Sequence, residues 1–554
     1  MSNNKSKSRM FEGASLLQGD NTIPGLKIPP ELKELLPRIF KEVTDFGCDF
    51  FPTVVQMLTY DEISEVAAYS GFPVRYPHWK WGMEYEQLAR GYEHGMHRIY
   101  EMVINTNPCY IYCLDSNTMV DNVTVVAHAL GHNDFFKNNV FFAPTKVGDQ
   151  NMMNRLANHG TRIRRYMRRW GKERVTEFID YVLRIETLID STKAWKPKKI
   201  KNLVTSDSRK YKFPKRLNVK DGHEYMEDYI NPEDWIDKQN EKIRRKEIAN
   251  EIGIFGKPTK DIMGFLRDHA PLKPWQADII SMLYEEALYF SPQRGTKMMN
   301  EGWASYIDHN IMCKRGLCGL AQENEDGGVI EYAKHKMGVL GGKYSMNPYK
   351  LGYCLFSEIE SRWDKGRFGP EYENCKDIKK KANWDTKAGL GHQKVFEVRA
   401  THNDLTALIE FFDEEFCNKY EFFQWRLFPN GEYKIVDRDY KSIKKKLVAQ
   451  HINGGLPVIK LTEPNYKGKG YMFLQHEWTG QTLYQPYVAA TLQALSFLWG
   501  NRVYLATRDQ NEQEIIWCAF GSGGDNDISL ISREQYENDK GEEEGFDTKS
   551  TGGF

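Results

Sequence analysis

Two histidines four residues apart, His128 and His132 in Val125-Val126-Ala127-His128-Ala129-Leu130-Gly131-His132-Asn133-Asp134, share one helical face, the spacing at which two imidazoles grip one metal ion. The H-E-x-x-H pattern of metal-dependent hydrolysis has this spacing and puts a Glu directly after the first His to activate the metal-bound water. Here that position is Ala129. The ligands are present and the usual base is not. A third ligand is expected from Met298-Met299-Asn300-Glu301-Gly302-Trp303-Ala304-Ser305-Tyr306, where Glu301 stands on an apolar helix. A carboxylate buried there requires a cation or an Arg partner. Two histidines and a Glu form a set that leaves a fourth position open for water, and the inventory suits zinc, with non-haem iron(II) as the alternative.

The stretch around Glu301 resembles the segment by which gluzincin metallopeptidases supply their third ligand. With Ala129 in the base position, a substitute is expected from Glu286 or Asp134. Glu286 is preferred, because it shares a helical stripe with Ile279 and Leu283 and points inward. Its bland alternative is an internal salt bridge. Asp134 could instead fix the tautomer of a ligand histidine. His335 and Tyr349 are candidates for donating to a developing oxyanion, as a late His and Tyr do in peptide-cleaving gluzincins. His159, ahead of the Arg162-Ile163-Arg164-Arg165 cluster, is a candidate fourth ligand or anion-binding group. The loop Arg75-Tyr76-Pro77-His78-Trp79-Lys80-Trp81 could grip a carboxylate or a sugar face, or simply pack.

Helices must hold these groups. Apolar residues recur at helical spacing over Pro30 to Thr59, Met83 to Val103, Asn122 to Phe136 and Trp275 to Cys313, while Tyr110 to Leu114 reads as a short strand. Strand patterns appear later, at Tyr433 to Val436, Leu456 to Leu461, Gly470 to Gln475 and Arg502 to Ala506, with a helix between the last two. The expected fold class is α+β: a mainly α-helical, zincin-like N-terminal body and a smaller C-terminal α+β domain. The expected boundaries are a flexible N-terminus over 1–29, the helical core over 30–415 with a loop-rich insertion at about 193–260, the α+β domain over 416–520, and a disordered tail over 521–554.

The 554 residues carry 76 Lys+Arg and 76 Asp+Glu, so no net charge draws the chain to nucleic acid or anionic membranes. With 40% hydrophobic and 13% aromatic residues it can fill real cores. No apolar run is long enough to cross a membrane, and the polar, basic start lacks a secretory apolar segment, so a cytoplasmic protein is expected. Nine scattered cysteines without a Cys-x-x-Cys pair argue against a disulfide framework or a zinc ribbon.

Eight ordered segments carry a further resemblance. They are Gly71 to Trp79, Asn105 to Cys109, His132 to Asn139, His159 to Met167, Asp261 to Leu266, Met299 to Tyr306, Asn347 to Gly352 and Thr401 to Asp404. From about Leu32 to Trp517 the chain resembles the stage V sporulation protein R (SpoVR) family. The resemblance implies a link to the peptidoglycan cortex of spores or, in bacteria that do not sporulate, to a stress response. It implies as partners a serine protein kinase and a protein with a von Willebrand-type domain. The combined expectation is a metal-dependent hydrolase acting on an amide, in a peptide or peptidoglycan precursor. The alternative is a non-catalytic, zincin-like regulatory or scaffold partner of the kinase system.

Overall fold

A computed structural model describes residues 28–93, 101–146, 152–193, 258–320, 325–342, 344, 346–466, 469–520 and 527–531. The expected flexible N-terminus and most of the expected 193–260 insertion lie outside the described residues. The protein is α+β, mainly helical with small sheets. In chain order the principal elements begin with α1 (Pro30–Asp45), β1 (Thr53–Leu58), α2 (Tyr60–Ala68), α3 (Trp79–Glu93), β2 (Glu101–Ile104), β3 (Cys109–Leu114), α4 (Met119–Asn138) and α5 (Met152–Trp170). Next come α6 (Lys172–Leu183), α7 (Ile262–His269), α8 (Pro274–Gly295), α9 (Lys297–His309), α10 (Glu325–Leu340), α11 (Pro348–Asp364), α12 (Gly391–Thr401) and α13 (Asp404–Phe411). The chain continues through β4 (Gln424–Leu427), β5 (Tyr433–Asp437), α14 (Tyr440–His451), β6 (Ile459–Tyr466), β7 (Tyr471–His476), α15 (Gln485–Trp499), β8 (Val503–Arg508), β9 (Glu514–Phe520) and β10 (Asp527–Ile531).

Two compact units divide the chain: Met1–Phe178 with Leu288–Leu456, and Ile179–Ala287 with Pro457–Phe554. The first is built around α4. Thr118 caps that helix by accepting from the Asp121 amide at 3.1 Å. Every residue from Val120 to Phe136 is buried, so α4 has no solvent face, which is why its sequence is apolar all round. Each polar side chain within it must therefore meet a partner. Asn133 does so by accepting from the Phe51 amide (3.0 Å) and donating to the Phe51 carbonyl (3.0 Å) and Thr53 Oγ1 (2.8 Å). A small sheet of order β1-β3-β2, with β1 parallel and β2 antiparallel to β3, packs against this helix.

Glycine brings α4, α9 and α11 close together. A Cβ on Gly131 would lie 2.9 Å from Ala304 Cα, and one on Gly302 would lie 2.4 Å from Gly352 Cα. Both contacts are backbone against backbone, so no side chain can fit at either glycine without moving a helix. The start of α9 is fixed from α13, where the Asp404 carboxylate accepts from the amides of Met298 (3.0 Å) and Met299 (2.9 Å). Those contacts set the position of Glu301, two residues further on.

The second unit holds a five-stranded sheet of order β10-β9-β8-β7-β6, with β7 and β8 parallel and connected through α15. Helix α15 ends at Gly500, whose φ of 75° is the left-handed value that favours glycine, and whose N–H returns to the Ser496 carbonyl at 2.8 Å. Within the stretch expected as a disordered tail, Asp527–Ile531 is strand β10, and 521–526 and 532–554 lie outside the described residues. Asp527–Ile531 pairs antiparallel with Ile516 to Phe520, because Ile528, Leu530 and Ile531 give this acidic stretch enough β-forming residues to extend the sheet. The helix expected over Met83 to Val103 is corrected at its end: α3 is described as far as Glu93, 94–100 lie outside the described residues, and Glu101–Ile104 is a strand. Its β-branched Val103 and Ile104 pair with Ile111 and Tyr110 across an Asn-Thr-Asn-Pro turn. No described helix is long and apolar enough to cross a membrane.

Candidate metal centre

Helical periodicity puts His128 and His132 on the same face of α4, their rings 4.7 Å apart between centroids and nearly perpendicular. Glu301, on α9, meets both. Its Oε2 lies 3.7 Å from His128 Nε2 and 3.3 Å from His132 Nε2. A fourth group, absent from the sequence reading, completes the cluster: Glu101, the first residue of β2, places Oε1 3.4 Å from His128 Nε2 and 3.9 Å from His132 Nε2. Glu101, His128 and His132 together form a group whose donor atoms could hold one ion.

The four contacts can be set against the lengths of hydrogen bonds and of metal–donor bonds. N–H···O hydrogen bonds have donor–acceptor distances of about 2.7–3.2 Å. All four contacts are longer than that, at 3.3 to 3.9 Å. Donors bound at about 2.0–2.1 Å to one tetrahedral ion stand roughly 3.3 Å from one another. The donors of Glu101, His128 and His132 all lie within 4.8 Å of one another, and Glu301 Oε2 stands within 3.7 Å of both imidazoles. Glu101 Oε2 and His132 Nδ1 are buried and have no hydrogen-bond partner among the described residues, an arrangement that costs free energy unless something else meets them.

One imidazole is oriented from behind. His128 Nδ1 donates to Asp308 Oδ2 at 2.8 Å, and Asp308 Oδ1 accepts from Tyr332 Oη (2.7 Å) and Lys336 Nζ (2.6 Å). An ionised carboxylate can only accept, so this contact keeps a proton on Nδ1 and directs Nε2 toward Glu101 and Glu301. Burial raises the Asp308 carboxyl, but Lys336 and then His128 outweigh it and bring it down to about 2. Glu301 is likewise raised by burial, then held well below the usual carboxylate range by His132 and His128. Glu101 goes the other way, because its burial outweighs the two histidines. Burial lowers His128, yet Glu101, Asp308 and Glu301 push it up to about 10.

The sequence-predicted residues separate by position. Tyr349 stands at the start of α11 after the Asn347 cap, and burial followed by the Glu301 charge raises its pKa. His335 on α10 joins Nδ1 to Asp121 Oδ1 at 2.8 Å and lies close enough to Glu101 to bear on its charge. Asp134 is placed elsewhere, because two residues beyond His132 is about 200° around the helix. Its carboxylate accepts from the Asp49 amide (2.7 Å), Trp303 Nε1 (2.9 Å) and Arg399 Nη1 (3.4 Å), and burial raises its pKa to about 6. It ties α4 to the core and touches neither histidine by any described contact. Glu286 is buried on α8 and is not part of the ligand group among the described residues. His159 is buried on α5 and is not part of the ligand group. Arg75 stacks on Trp81 at 4.6 Å, and Trp81 Nε1 donates to the Tyr76 carbonyl at 2.8 Å; Arg75, Tyr76 and Trp81 are buried, while Trp79 is exposed.

Asp308 was legible in principle. It lies seven residues after Glu301, two helical turns along the same face. Glu101 carried no such periodic signal, because strand and helix contribute ligands from unrelated registers.

Residues 28–456 match the family described as SpoVR like protein, and the chain belongs to that family. It is 28% identical over 334 residues to YcgB of Escherichia coli (strain K12), a protein named as uncharacterized. The match covers 57% of this chain and spans 60% of that relative's length. No solved structure matches the chain.

Proposed function

We propose that this SpoVR-family chain is a metal-dependent hydrolase with a zincin-like helix pair, acting on an amide in a peptide or peptidoglycan precursor. The observation that carries the reading is the convergence of His128 Nε2 and His132 Nε2 on Glu301 Oε2, at 3.7 and 3.3 Å, spacings suited to one shared ion. Zinc fits two imidazoles and carboxylate oxygen, and iron(II) fits the same set. Either ion, when bound, supplies Lewis acidity and lowers the pKa of a water.

The chain's own groups do the rest. Asp308, anchored by Lys336 and Tyr332, holds the His128 ring in one orientation. The Tyr349 hydroxyl, which the Glu301 charge reaches, is a neutral donor for a substrate carbonyl whose oxygen gathers charge. The His335–Asp121 pair stands beside Glu101 as a proton-holding group. On this account the Tyr349→Phe protein keeps its metal and cleaves a peptidoglycan-precursor peptide roughly 10²–10³-fold more slowly, the range for losing one oxyanion donor. Equal turnover by the variant, or no cleavage of any amide by metal-loaded wild type, rejects it.

A second reading has an observation in its favour: Ala129, where a zincin carries its base, is fully buried in the apolar core. A Glu there would place a charge in that core, so the substitution is not a simple repair. On that reading the chain is a metal-stabilised regulatory partner of a serine protein kinase and a von Willebrand-type domain protein, in spore-cortex formation or a stress response.

A further inference from the structure

We propose that Glu101 is a fourth protein ligand, so that the resting centre is closed by two imidazoles and two carboxylates. This deepens the metal reading above and rests on it. Three observations converge on Glu101. Its Oε1 stands 3.4 and 3.9 Å from the two Nε2 atoms, the same spacing that Glu301 keeps at 3.7 and 3.3 Å. Its other oxygen, Oε2, is buried without a hydrogen-bond partner among the described residues. Its backbone is fixed by pairing of β2 with the central strand β3, Glu101 opposite Cys113, so the carboxylate is delivered by a sheet and not by a loose loop.

The alternative role for Glu101 is an ion pair with a histidine. Such a pair in a buried site closes to hydrogen-bond distance, as His128 Nδ1 and Asp308 do at 2.8 Å. Glu101 instead faces both imidazoles from one oxygen and bonds to neither. The arrangement also separates this centre from sites with three protein ligands and water in the fourth place. A substrate or water gains the ion here only by displacing Glu101 or by raising the coordination number.

Cobalt(II) reports coordination number directly, since four-coordinate Co(II) absorbs visible light far more strongly than five- or six-coordinate Co(II). Full-length wild-type protein titrated with Co(II) alone is expected to give the intense four-coordinate spectrum, and added azide is expected to leave it unchanged. Glu101→Gln is expected to give a weak spectrum that azide alters, with Zn(II) affinity at least roughly tenfold lower in chelator competition. Glu101→Ala with added acetate is expected to regain the intense band. A wild-type spectrum that azide shifts readily, or a Glu101→Gln protein with wild-type spectrum and affinity, overturns the fourth-ligand assignment and leaves the three-ligand centre standing. Wild-type protein that binds neither Co(II) nor Zn(II) overturns both.

Discussion

At the scale of residues, the centre depends on what each polar atom is paired with. Asp308 meets His128 through Oδ2 and Tyr332 and Lys336 through Oδ1, which fixes the orientation of the imidazole. Asp308→Asn should weaken Zn(II) binding by about 10–100-fold, the range for removing such a supporting carboxylate. Chelator competition on the folded variant measures it, and unchanged affinity would show that the His128 ring is held by packing alone. The two histidines and Glu301 were readable from sequence, because a single helical face and an acid on an apolar helix are local patterns. Asp134 was misleading for the same reason: closeness along the chain to His132 becomes the opposite side of the helix in space, where Trp303 and Arg399 take its charge.

At the scale of elements, His128, His132 and Glu301 are brought together by helices that touch through glycine. Gly302 on α9 follows Glu301 directly and meets Gly352 on α11. Gly302→Ala drives a methyl group into that backbone, and overpacking of this kind costs roughly 1–3 kcal/mol. Denaturant unfolding should show the loss, with Zn(II) affinity falling as well, because α9 cannot shift without moving Glu301. Unaltered stability would mean the helices have room that the 2.4 Å approach does not allow. Helices α4 and α9 were visible in the sequence, whereas β2 was absorbed into the preceding helical pattern. A four-residue strand offers too few positions for its alternation to outweigh the helical spacing before it, and only its pairing with β3 declares it. Glu101 went unnoticed with it.

At the scale of the whole molecule, pH links the site to stability through Asp404, which fixes the start of α9. Burial raises this carboxyl to about 7, against the lowering by the amides of Met299 and Met298. A folded value above the unfolded one means that the native state binds the extra proton, so the stabilisation is complete below the ordinary Asp value and is lost as pH rises through about 7. Between pH 8 and pH 5 the wild type should gain roughly 2–3 kcal/mol over Asp404→Asn, at about 1.4 kcal/mol per unit across some two units. Unfolding curves of both proteins at the two pH values test this, and a difference independent of pH would place Asp404 outside the titration. The arrangement of the chain into units was less legible than its elements. Ile179–Ala287 falls in one unit with Pro457–Phe554, a pairing of distant segments seen in the Thr259–Leu461 bridge, and no local pattern encodes such a contact.

The central claim is that this fold holds one divalent ion between α4, α9 and β2. Elemental analysis of the full-length protein, purified without chelator, tests it most directly. The expected result is about one zinc or iron per chain, retained through dialysis and absent from folded His128→Ala and Glu301→Gln proteins. A native protein that carries no transition metal and takes up none when Zn(II) or Fe(II) is supplied would contradict it, and the cluster of Glu101, His128, His132 and Glu301 would then be a buried ion-pair network.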